Sequence, residues 1–155
     1  MAKRAKPGDV LAVSTLDGVI YLQYLGRHAE YGDGVAVCPR IIQTPGAAIT
    51  PELFRDAYVT FYPAAAGVRR ELADVVGHLP SPGLPRRWRR PGARVGLKIV
   101  TWILEDSCGE ELKRQLSEEE RHLPIAAIWN HELLIQRVVE GWRPEMEDGG
   151  GSAHL

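Results

Sequence analysis

The stretch from Val95 to Glu105 restricts the fold more than any other. Read as one strand, it sets Val95, Leu97, Ile99 and Ile103 on one face and Val100, Trp102 and Leu104 on the other. A strand apolar on both faces belongs inside a sheet covered front and back. Helices must then pack on that sheet, and the C-terminal third offers two. Ser117-Glu118-Glu119-Glu120 reads as a capping box, with Ser117 as cap and Glu120 reaching back, opening a helix that ends before Pro124. A second helix is expected from Trp129 or Asn130 through Glu140. Leu134, Ile135, Val138, Val139 and Trp142 give it an apolar stripe, and Gly141 stops it.

The N-terminal half is punctuated for strands. Asp9–Thr15 and Val19–Leu25 flank Asp17-Gly18, a hairpin signal because both turn positions tolerate positive φ. Gly26 is expected to end the second strand. A turn over Glu30–Gly34 leads to a third strand, Val35–Pro39. Such short strands curl into a half-barrel more readily than they lie flat. Thr50-Pro51-Glu52 opens a short helix with Thr50 as cap, and Ala57–Tyr62 alternates as a fourth strand. Val68–Val76 fits a short helix, although Asp74–His78 also reads as a strand. Leu79–Gly92, with Pro80, Pro82, Pro85 and Pro91, reads as a loop.

The expected fold class is therefore α+β: a bent, mostly antiparallel sheet or half-barrel with short helices packed on it. With 155 residues the chain suits one domain over residues 1–148. The chain is expected to lose order from residue 144, and residues 149–155, with their three glycines, to form a disordered tail.

Nineteen basic residues nearly balance twenty acidic ones, so no global field draws in nucleic acid or an anionic membrane. No apolar run reaches the ~18 residues a membrane helix needs, and residues 1–7 read as a flexible basic lead with no signal-peptide core. A cytoplasmic, non-membrane protein is expected, with Cys38 and Cys108 as reduced thiols.

Chemical motifs are sparse. His131-Glu132 begins a zinc-binding pattern, but Ile135 stands where the second histidine belongs. His28, His78, His122 and His154 are scattered over expected loops and the tail. Gly32-Asp33-Gly34 lacks the spacing of a phosphate loop. Asp9 and Asp17 suit turn chemistry better than acid–base work. No cofactor, metal ligand or catalytic residue is assigned. The sharper feature is Arg86-Arg87-Trp88-Arg89-Arg90, followed by Arg94. Forked guanidinium groups beside an indole suit phosphate or carboxylate recognition. The same arginines also suit pairing with the acidic segments Glu110-Glu111 and Glu118–Glu120.

Lys6-Pro7-Gly8-Asp9-Val10-Leu11-Ala12-Val13, then Leu16-Asp17-Gly18 and Leu25-Gly26, resembles the opening of the immunity protein 26 family of bacterial polymorphic toxin systems. The resemblance covers about a sixth of the chain and carries over no binding residue. It implies a small bent β-barrel that binds and neutralises a cognate toxin. The leading expectation is thus a protein-binding module, immunity-like, with Arg86, Arg87, Trp88, Arg89, Arg90 and Arg94 on an exposed binding loop. On that reading, changing Trp88 and Arg89 to alanine weakens partner capture and leaves the melting temperature nearly unchanged. Two alternatives stand beside it: a nucleic-acid binder using the arginine-rich loop 86–94, and a small hydrolase using Cys38 or Cys108 with a loop histidine.

Overall fold

The N-terminal hairpin forms where the turn residues place it. Strand β1 (Asp9–Thr15) pairs antiparallel with β2 (Gly18–His28), with Thr15 opposite Gly18. The turn is Leu16-Asp17 rather than Asp17-Gly18. The Thr15 hydroxyl accepts from the Asp17 amide at 3.0 Å and donates to the Gly18 carbonyl at 2.8 Å. Only Gly18 takes a positive φ, at 135°. Gly26 does not end β2. It takes φ 137° at a bulge, and the strand bends and continues to His28. The computed structural model describes residues 4–44 and 46–147, so the expected tail over 149–155 lies outside the described residues.

Strands β3 (Gly32–Val37) and β4 (Tyr58–Phe61) extend the meander. After helix α1 (Ala64–Arg69), β5 (Asp74–His78) returns to pair with β1. The ambiguous 68–76 segment is thus the end of a helix followed by a strand. The resulting open sheet has the order β4-β3-β2-β1-β5, all antiparallel, with a second irregularity between Val10 and Leu11. It does not close into a barrel. Val10, Tyr21, Cys38 and Leu53 are buried together, and Ile42, Ile49 and Phe54 pack over them. Pro51–Phe54 is a single 3₁₀ turn, and the Thr50 side chain makes no cap bond there.

Helix α2 (His131–Val139) belongs to this unit. The Asn130 side chain accepts from the Leu133 amide at 2.7 Å, and Gly141 stops the helix with φ 72°. The segment before α2 is anchored along β4, where the Trp129 amide donates to the Phe61 carbonyl at 2.7 Å. Trp129 and Trp142 close on each other and on Tyr58, edge to face or tilted, with centroids 5.1 to 6.0 Å apart. The helix therefore covers an aromatic seam on β4.

Residues 85–126 and 143–147 make up a second unit. Here the reading of Val95–Glu105 fails. Gly96 takes φ 62° and turns the chain. The segment divides into a two-residue hairpin, β7 (Arg94–Val95) with β8 (Lys98–Ile99), and a separate strand β9 (Trp102–Asp106). Val95 and Leu97 are each 70% exposed, so no inner strand shields them. The proline-rich loop is also corrected. Trp88–Pro91 is strand β6, and with β10 (Gly109–Lys113) it flanks β9 in an antiparallel sheet ordered β10-β9-β6. Pro85 precedes the strand and Pro91 is its last residue, so neither interrupts it.

Arg89 on β6 is 0% exposed. Its guanidinium donates to the carbonyls of Leu123, Arg121, Pro144 and Glu147, at 3.4, 2.9, 2.6 and 2.8 Å. It also lies 4.2 Å from the Trp102 ring centroid. Residues 144–147 are therefore ordered, with Pro144–Met146 in a 3₁₀ turn, contrary to the expected disorder from residue 144. The capping box forms as read: the Ser117 amide donates to Glu120 at 2.8 Å and the Glu120 amide donates to Ser117 Oγ at 3.2 Å. It caps only one 3₁₀ turn, Glu120–His122, and no α-helix follows.

Arg89→Lys is expected to destabilise the protein by about 3 kcal/mol, because an ammonium has three donors and no planar fork to satisfy these carbonyls. Denaturant unfolding checks this, with a midpoint equal to wild type as the contrary result.

Candidate functional site

The six residues expected on a binding loop separate by environment. Arg89 is inside, so changing it to alanine removes a structural anchor and cannot leave the melting temperature unchanged. Trp88 is half-buried, and its indole N–H donates to Glu105 at 2.8 Å. Arg90 holds Glu105 with its Nε and reaches Glu110 at 3.0 Å, which raises its pKa further. Arg87 sits 3.4 Å from Glu120 and 3.8 Å from Glu111. The arginines thus pair with the acidic segments on β10 and the 3₁₀ turn, as the charge pattern allows. Hydrogen bonds from the Ser117 amide and hydroxyl, with Lys113 at 3.5 Å, hold the Glu120 carboxyl below its ordinary range against the opposing effect of burial.

Arg86 and Arg94 remain. Both are exposed, and neither has an ion-pair partner among the described residues. Arg94 opens the β7–β8 hairpin, whose other strand carries exposed Lys98, likewise without an ion-pair partner. Between these cations stand Val95 and Leu97. Among the described residues the hairpin pairs only with itself: Arg94 opposite Ile99 and Val95 opposite Lys98. Ile99 is buried and anchors its base. The result is a short finger, apolar at the tip and cationic on its flanks. The sequence reading assigned Val95 and Leu97 to the core. The signal that corrects it is Gly96, a residue suited to a turn.

The remaining candidates lie apart. Cys38 is buried, its thiol 3.6 Å from the Arg40 carbonyl; Cys108 is exposed in the β9–β10 turn beside Ser107. Neither thiol has a histidine partner among the described residues. His28 accepts from the Glu30 and Tyr31 amides and closes a turn. His78 bonds buried Asp9 at 3.0 Å, and Asp9 also accepts from the Lys6 amide. Lys6 is thus fixed, and Asp9 does turn chemistry as expected. His122 lies 3.5 Å from both Glu118 and Glu145. His131 meets Tyr62, and His154 lies outside the described residues. Among the described residues no group of three or more His, Cys, Asp or Glu is placed to hold a metal ion, and no helix is long and apolar enough to cross a membrane.

No family model matches the chain, and neither the curated proteins nor the solved structures hold a match to it.

Glu120 adds a pH dependence. Its folded pKa lies below the unfolded one, so its contribution is present at neutral pH and is lost as the pH falls through the carboxylate range. Glu120→Gln is expected to cost about 1 kcal/mol at pH 7, and the difference from wild type should be smaller at an acid pH below the ordinary carboxylate range. Thermal melts at the two pH values test this; an equal loss at both would show that charge is not involved.

Proposed function

We propose that the chain is a protein-binding module that contacts its partner through the β7–β8 finger. The observation that carries this reading is the pair Val95 and Leu97, each 70% exposed, held between Arg94 and Lys98. Burying two such side chains is worth about 3 to 5 kcal/mol, whereas an exposed ion pair is worth about 0 to 1 kcal/mol. The apolar tip therefore supplies affinity, and the cations supply steering and orientation. The partner that fits is a protein with an apolar groove rimmed by carboxylates.

An immunity-like role, in which the partner is a toxin covered and neutralised, agrees with this reading and with the resemblance of the opening segment. Such a role needs a stable scaffold and one complementary surface. Recognition of nucleic acid by the arginine run has less to work with. Arg87, Arg89 and Arg90 are already engaged within the fold, and affinity for a phosphate backbone grows with the number of phosphates neutralised.

The test is affinity capture from the native host with the full chain and with Val95→Asp/Leu97→Asp. We expect one protein held in near-stoichiometric amount by wild type, resistant to nuclease, and lost with the double variant, whose melting temperature stays close to wild type. Material released by nuclease, or retained by the folded double variant, overturns the assignment.

A further inference from the structure

The first unit contains an open cleft of about 260 Å³ between the end of β4, helix α1 and the start of α2. Pro63, Ala66 and Leu72 supply apolar walls, while Arg70, Asn130, His131 and Glu132 supply polar groups. Tyr62 lies at its base, with its hydroxyl 2.9 Å from His131 Nδ1. A Cβ on Gly67 would stand 3.0 Å from that hydroxyl, so glycine leaves room for the Tyr62–His131 pair.

The pair has a defined protonation. Burial pushes the Tyr62 hydroxyl up to about 12, so it keeps its proton and can donate. Burial lowers the pKa of His131 despite Glu132 beside it, so the ring favours the neutral form. We assign the hydroxyl as donor to Nδ1, which leaves the ring proton on Nε2. That N–H has no partner among the described residues.

Arg70 is exposed at the C-cap of α1 and also lacks an ion-pair partner among the described residues. Asn130 spends its oxygen on the Leu133 amide, which leaves its amide N–H groups as donors. The polar lining therefore offers three kinds of donor, and Glu132 is the one carboxylate. A doubly charged anion would meet that carboxylate unfavourably. A singly charged one with an apolar body would lose less to it and would gain from Leu72, which is 42% exposed.

We propose that this cleft is a binding site for a small organic carboxylate, with Arg70 and His131 holding the carboxylate and Pro63, Ala66 and Leu72 holding its apolar body. The site lies wholly within the first unit and does not depend on the finger of the second.

Titration of the full chain with benzoate, followed by amide and imidazole NMR, tests the proposal, with benzyl alcohol and inorganic phosphate as separate arms. Benzoate is expected to move the His131 and Leu72 signals saturably at ~mM concentration, and both other probes more weakly. Arg70→Gln should weaken benzoate about fivefold or more, and Glu132→Gln should tighten it about twofold. Both positions are exposed, so both variants should fold. Equal binding of benzyl alcohol would show that the charge is not recognised. Equal binding of phosphate would show that the apolar wall is not used. Unchanged affinity in Arg70→Gln, or no saturable shift with benzoate, would also overturn the proposal.

Discussion

A guanidinium with no access to water must be solvated by the protein that surrounds it. Arg89 achieves this with carbonyl oxygens from three places: Arg121, Leu123, and the segment Pro144 to Glu147. Each carbonyl is a weak partner for a full charge, but several aimed at one planar fork replace most of the lost hydration. The Trp102 face supplies a further attraction from β9. The second unit is therefore organised around a polar centre. Its sheet is small, and β10 offers little apolar burial, with Leu112 64% exposed. The arginine centre and the ion pairs along β6 take over part of the role a larger hydrophobic core would play.

The first unit follows the opposite principle. Its central strands are buried on both faces, residues 20–25 of β2 and 33–37 of β3 being buried without a break, and its few buried polar residues serve geometry. Asp33 shows this. It is buried, accepts from the Tyr24 hydroxyl at 2.9 Å, and accepts from the Ala65 amide at 3.0 Å, so a strand residue caps α1. Burial and this bond push Tyr24 up to about 12. Gly8, with φ 98°, is another such position. A Cβ there would stand 2.6 Å from the Leu79 carbonyl oxygen, so Gly8-Asp9 is a requirement of this turn.

Legibility followed the range of the interactions. The α+β class, the N-terminal meander, the start of α2 at Trp129 or Asn130 and the Ser117 box rest largely on residues within a few positions of one another, and these could be read, whereas the capping role of Asn130 was not. Val95–Glu105 is not one strand because Gly96, with a positive φ, turns the chain within an apolar run. Residues 79–92 hold a strand despite their prolines, because Pro85 precedes it and Pro91 is its last residue. In the candidate site, Arg86 and Arg94 were correctly read as exposed, whereas Val95 and Leu97 were placed inside. The burial of Arg89 left no local mark, since its acceptors are main-chain atoms that every sequence supplies.

The span between Arg89 and its acceptors affects how the chain is made. The most distant, the Glu147 carbonyl, lies 58 positions downstream. During synthesis the strand carrying Arg89 emerges well before the segment that completes its shell, and until then the cation stays hydrated. The first unit's meander can assemble from neighbouring segments much earlier. Maturation on the ribosome should accordingly be stepwise, with the arginine-centred half closing only after residue 147 has cleared the exit tunnel.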